Sequence, residues 1–230
     1  MKKLLKAFTL AEILITLGIV GIVAKLTLPA LTQNVQQQIA ETGLAKAINT
    51  LESVNAKMQL ESGSKKINAS YGHQGDQGIF TKYYLEALPT YLNGSYKMKK
   101  YTINGSSSNY PVFITKDGIV FTSDNPNSYT IRQATSPKYY SSCDSFITID
   151  TNGAKGPNKY GKDQFRVVID NYGAVIPYGG MQYAEYSGNN NVLWENGCPS
   201  NKSIKPTNPR ACTGAIVDNG YKILYGYNAL

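Results

Sequence analysis

Hydrophobic and polar positions fall into three successive patterns along the chain. From Phe8 to Ala24 the run is apolar except for Thr9, Thr16 and one charge, Glu12, and Leu26, Leu28, Ala30 and Leu31 carry it past Lys25. A membrane span takes about 20 apolar residues. Val35, Ile39, Leu44, Ile48, Leu51, Val54 and Met58 then recur at helical spacing, with Gln, Asn, Lys and Glu between them. The two patterns join into one predicted helix from about Phe8 to about Leu60, roughly 80 Å long at 1.5 Å per residue. Pro29 lacks a backbone donor and predicts a kink. Gly43 predicts a second weak point. The Ser62-Gly63-Ser64-Lys65-Lys66 stretch ends the helix.

The third pattern is mixed. Phe80, Tyr84, Leu85 and Leu88 share one side of a second amphipathic segment, with Asp76 as its cap and Pro89 as its stop. Tyr96 to Asn109 is polar, and Lys97, Lys99 and Lys100 read as a solvated face. Val112–Thr115 and Ile119–Phe121 flank Asp117-Gly118 and predict a hairpin. Phe146–Ile149 and Phe165–Ile169 predict two further strands, and Asn171-Tyr172-Gly173 turns into Ala174–Ile176, stopped by Pro177. Tyr178 to Pro209 reads as a long loop, and Tyr221–Tyr225 as a strand closing the sheet. A long helix followed by an antiparallel sheet is an α+β arrangement.

Composition narrows the function. Charged residues are 17%, and 18 Tyr and 21 Gly point to a Tyr/Asn/Ser/Gly-rich surface unlike that of a cytosolic enzyme. His73 is the lone histidine, which excludes a His-based triad or a multi-His metal site. No phosphate-binding loop, Gly-x-Ser-x-Gly or Cys-x-x-Cys occurs, so the chain reads as no enzyme. Trp194 lies in the long loop as a contact or an anchor. Cys143, Cys198 and Cys212 are odd in number, so at most one internal bridge forms. Cys198 and Cys212 enclose the Pro/Asn/Lys-rich stretch 199–211, which favours their pairing and leaves Cys143 free; a bridge through Cys143 is the alternative.

Glu12 is the unusual residue. A carboxylate inside an apolar span costs about 2.5–3.5 kcal/mol on insertion scales. It either reaches back to the interface or awaits a partner charge from another subunit. Lys2, Lys3 and Lys6 ahead of the run predict an inside amino terminus and an outside head.

Lys6-Ala7-Phe8-Thr9-Leu10-Ala11-Glu12-Ile13-Leu14-Ile15 resembles the cleavage and methylation signal of type IV prepilins and type II secretion pseudopilins. The resemblance is specific over about the first thirty residues and loose beyond them. It implies cleavage between Ala7 and Phe8 by a prepilin peptidase, N-methylation of Phe8, and assembly through the helix. The family usually carries Gly before the cut; this chain carries Ala7. Glu12 falls on the family's glutamate and Pro29 on its proline, which makes both candidate assembly residues. The implied organisation is a leader at 1–7, a transmembrane and assembly helix at 8–31, its amphipathic continuation at 32–61 and a globular α+β head at 62–230. The implied fold is pilin-like: a long kinked helix, transmembrane in its first half, packed on an antiparallel sheet. The implied place is the inner membrane, single-pass, with the head outside the cytoplasm, and the cell surface once assembled. Partners would be the peptidase, other pilin or pseudopilin subunits and the inner membrane.

The head holds one candidate metal motif. Asp150, Asn152, Asn158 and Asp163 set carboxylate and amide oxygens around Gly153 and Gly156, a donor type suited to calcium. Similar loops occur in some pseudopilin-like heads. The alternative is a strand-to-strand turn using Gly, Pro and Asn for backbone geometry. The formal charge of +8 falls to +5 when the three leader lysines leave, too modest an excess to name nucleic acid as a partner. Two other functions compete with the filament reading: a minor DNA-binding pilin, and a membrane-anchored carbohydrate-binding or adhesion protein. A plain secreted protein is opposed by Glu12, Lys25 and the poor signal-peptidase site near Ala24.

Overall fold

The computed structural model describes residues 9–65, 67, 77–123, 145–170, 172–187, 197–201, 203–225 and 227. Helix α1 runs from Leu10 to Ser62 and stays helical through Pro29. Just beyond the proline, the Thr32 hydroxyl donates to the carbonyls of Leu28 (3.0 Å) and Pro29 (2.9 Å). The chain divides into two compact units, Met1–Gln38 and Ile39–Leu230.

In the first unit the large apolar side chains of α1 are exposed on every side, from Leu10 (78%) through Ile22 (64%) to Leu31. In the second unit α1 becomes a core helix. The predicted stripe is buried from Leu44 onward, with Ala40 and Ala47 added, but Val35 and Ile39 stay exposed. Helix α2 covers Gln77–Tyr91 and continues past Pro89, with Leu92 N–H donating to Leu88 O at 2.8 Å. Proline in the last turn removes one bond without ending the helix.

Six strands follow: β1 (Gly94–Ile103), β2 (Ser106–Thr115), β3 (Val120–Thr122), β4 (Ser145–Asp150), β5 (Gln164–Ile169) and β6 (Val175–Pro177). They form one antiparallel meander in chain order, β1 and β6 at its edges. Leu44, Leu51 and Met58 of α1 and Tyr84, Leu85 and Leu88 of α2 share one core with Phe113, Phe121, Ile149, Phe165 and Val167 of the sheet. Two smaller clusters lie apart from it, one around Tyr101, Val112, Val120 and Tyr160, the other around Val168, Ile176 and Tyr183.

Three expectations change. The polar stretch Tyr96–Asn109, for which no strand is expected, forms most of the hairpin β1–β2, paired over its full length from Gly94↔Thr115 to Ile103↔Ser106. Asn104 (φ 48°) and Gly105 (φ 79°) supply the left-handed pair that a tight hairpin requires. Tyr101 and Ile103 are buried while Lys97, Met98 and Lys100 stay exposed. The Tyr178–Pro209 loop contains α3 (Met181–Ser187), and α4 (Cys212–Asp218) follows it. Tyr221–Tyr225 adds no strand; side-chain bonds from Glu41 of α1 hold it instead.

Candidate functional sites: the N-terminal helix and the head loop

Thr9 and Glu12 cap α1 reciprocally. Thr9 N–H and its hydroxyl donate to Glu12 Oε2 at 2.8 and 2.9 Å, and Glu12 N–H donates to Thr9 Oγ1 at 3.2 Å. This is a capping box, Thr-x-x-Glu, which satisfies two of the helix's orphan donors. Glu12 also sits where the helix dipole favours negative charge. The Thr9-Leu10-Ala11-Glu12 spacing is the readable signal for a role that the partner-charge argument leaves out. Ala7 and Phe8 lie outside the described residues, as do Cys143, His73 and Trp194. Pro29 lies within the helix in the exposed apolar stretch.

In the head, α1 is a clamp as well as a core element. The buried Asn55 amide donates to Gly173 O at 2.8 Å and its oxygen accepts from Tyr84 OH at 2.6 Å. Buried Glu41 accepts from Ile223 N–H at 2.9 Å and from the Lys222 ammonium at 3.2 Å, fixing the C-terminal segment. A buried carboxylate stays charged only with such partners. Cys198 and Cys212 are joined by a disulfide, both fully buried, with Cα atoms 5.2 Å apart. Asn208 N–H donates to Gly197 O at 2.9 Å and closes the same loop. Gly214 of α4 lets that helix approach the Gly179–Gly180 turn; a Cβ there would stand 1.9 Å from Gly180 N.

The Asp150–Asp163 loop brings together all four candidate calcium ligands; its two carboxylates accept from nitrogen and hydroxyl donors, while the buried Asn152 Oδ1 has no hydrogen-bond partner. Asp163 accepts from Asn158 N–H and Lys159 N–H, both at 2.8 Å. Asp150 accepts from Tyr101 OH (3.0 Å), Gln164 Nε2 (2.9 Å) and Asn152 N–H (3.2 Å). With its amide nitrogen turned inward, Asn158 donates to Gly153 O (3.1 Å) and Asp150 Oδ2 (3.0 Å). Asn152 Nδ2 donates to Gly156 O at 3.1 Å. Among the described residues no three His, Cys, Asp or Glu side chains converge as a metal-binding group.

The loop joins distant parts of the head. Gln164 Nε2 also donates to Thr102 O, and its Oε1 accepts from Asn104 N–H, tying in the β1–β2 hairpin tip. Gly105 N–H donates to Asn158 O at 3.2 Å. Tyr225 OH donates to Gly161 O. Burial pushes the Asp150 carboxyl up to about 7; the nearby Asp163 charge adds to this, against the hydrogen bonds from Gln164, Tyr101 and Asn152.

Fold and sites define an α+β protein whose N-terminal helix is long and apolar enough to cross a membrane. Comparison with protein families, with characterised proteins and with solved structures finds no match.

Proposed function

We propose that the chain is a structural subunit of a type IV pilus or type II secretion pseudopilus. The observation that carries this reading is the first half of α1, apolar on all sides and covered by nothing in its own unit. A helix of that kind needs lipid or other helices around it. The Lys6–Ile15 resemblance supports assembly over simple anchoring, because it supplies a cut at Ala7–Phe8 and a new amine. In the inner membrane, lipid covers the helix, with the head outside the cytoplasm. After cleavage by the prepilin peptidase, neighbouring subunits replace the lipid. In the unassembled subunit Glu12 is held by Thr9; in the filament it meets the Phe8 amine of a neighbour. The head, in a pilin-like fold, forms the filament surface.

Terminal mass spectrometry of membrane-extracted protein tests the reading. The expected mature terminus is N-methylated Phe8. A terminus near Lys25 overturns the proposal in favour of ordinary secretion. Glu12→Ala should still be cut yet be depleted from sheared filaments, and normal filament yield from that variant removes Glu12 as an assembly contact.

A further inference from the structure

Between Thr9 and Ala40 the chain holds one acid, Glu12, and one base, Lys25. Both are exposed, on a continuous helical stretch that lies before Pro29. The threonines of this stretch are satisfied within the helix. Thr9 bonds to Glu12, Thr16 Oγ1 donates to Ile13 O and Thr27 Oγ1 to Val23 O, the last two at 2.9 Å. Lys25 has no such partner. Gly21, Ile22, Leu28 and Pro29 stand three and four residues from it, and among the described residues no carboxylate pairs with it. Glu12 takes both Thr9 donations on Oε2, which leaves Oε1 for a further donor.

Thirteen residues (25 − 12) separate the two charges. At 1.5 Å and about 100° per residue they stand about 20 Å apart along the axis and about 140° apart around it. The helix cannot pair them itself. Two copies at the same depth place acid level with acid and base level with base. Lys2, Lys3 and Lys6 predict one orientation for every copy, which leaves out an antiparallel pair. In lipid each charge has its own outlet: Glu12 sits at the capped start of the helix, and the Lys25 stem reaches toward the outer headgroups. When helices replace lipid that outlet closes, and an unpaired buried charge is strongly unfavourable.

We infer that Lys25 of one copy pairs with Glu12 of a second copy standing about 20 Å further toward its head end, an inference that rests on the filament reading above. The charges are complementary, and the helix is bare on both faces that the contact uses. The contact is heterologous, because it joins the Lys25 face of one copy to the opposite, Glu12 face of the next. Each pair therefore leaves one acid and one base unmet, and such contacts propagate into open helical filaments. The Glu12 carboxylate has two oxygens, so it serves the Phe8 amine of one neighbour and Lys25 of another. Lys25 thereby sets the axial register of assembly.

The test uses the full chain in its native cells and leaves both charges in place. Ile19 lies within about 20° of the Glu12 face and Thr32 within about 20° of the Lys25 face, with the same spacing of thirteen residues (32 − 19). Copies with Ile19→Cys and copies with Thr32→Cys are produced together, and membranes and sheared filaments are oxidised. A disulfide forms only where Cα atoms come within about 7 Å, so the mixture should give about fivefold more crosslinked dimer than either variant alone. Ile19→Cys mixed with Leu28→Cys, four residues out of register, should give as little as the single variants. Filaments without the Ile19–Thr32 crosslink would overturn the pairing and leave the filament reading standing. Absence of both filaments and crosslink would overturn both. Ile19–Ile19 crosslinks as strong as those of the mixture would show level packing and overturn the stagger. A second measurement reads the charges. Glu12→Ala strands Lys25 in the core, so adding Lys25→Leu should raise its sheared-filament yield about threefold or more, since removing both members of a buried pair is far milder than removing one. A double variant as depleted as Glu12→Ala alone, with Phe8 still the mature terminus, would overturn the ion pair.

Discussion

Gly43 is where the loop after β4 touches α1. A Cβ on Gly43 would lie 2.8 Å from Thr151 Cβ and 3.1 Å from its Cγ2. Alanine would raise helix propensity by about 1 kcal/mol, but forcing the contact costs typically about 1–3 kcal/mol. Gly43→Ala should therefore lower the head's urea midpoint, whereas Gly18→Ala, with nothing within 4 Å, should leave it unchanged. Asp150 gives a pH signature. Its folded carboxyl titrates near 7, above the ordinary 3.8, so the folded state holds this proton more tightly than the unfolded chain. The stabilisation is complete below about pH 4 and is lost as pH rises through 7, up to about 4 kcal/mol in all. Urea midpoints should fall between pH 4.5 and 8 (roughly the range spanned by the two titrations) and fall much less in Asp150→Asn. A residual slope belongs to Asp170, whose carboxyl burial also raises. At this scale the sequence misleads where one residue has two readings. Gly43 looks like a helix weakness because propensity is local, while its partner Thr151 is far away along the chain. Glu12 looks like an unpaired charge because the apolar run around it hides the Thr9 cap.

Among the elements, the Cys198–Cys212 loop has the clearest energetic weight. It closes at a sequence separation of 14 and ties 197–201 to the first residue of α4. A loop of about 15 residues is worth roughly 3 kcal/mol in the chain-entropy model. Cys198→Ala with Cys212→Ala should lower the melting temperature of the head by about 6–12 °C, by near-ultraviolet circular dichroism of its tyrosines. The β2–β3 hairpin, β4, β5 and the burial of Tyr84, Leu85 and Leu88 are legible in the sequence because apolar period and turn residues agree there. The β1–β2 hairpin is not, because serines and lysines mask its alternation; its Asn104-Gly105 turn is the signal available. Helices α3 and α4 span only seven residues each, too short for a period to register. They are set by packing and by contacts such as Gly214 N–H to Tyr178 O at 3.0 Å.

At the scale of the molecule, two solvents are written into one helix. Its first half is apolar on all sides and its buried half is a one-sided stripe, which is why the α+β class and the membrane-length segment are legible from the residues alone. The strand order is not, because a meander and a crossed sheet share the same periodicity. The meander leaves β1 as an outer strand, and among the described residues its only strand partner is β2. An open strand of ten residues is a template for pairing with another chain. Lys97, Lys99 and Lys100 set three positive charges along that strand, against which a second copy would bring its own. The same three lysines that read as a solvated face thus oppose edge-to-edge pairing of heads.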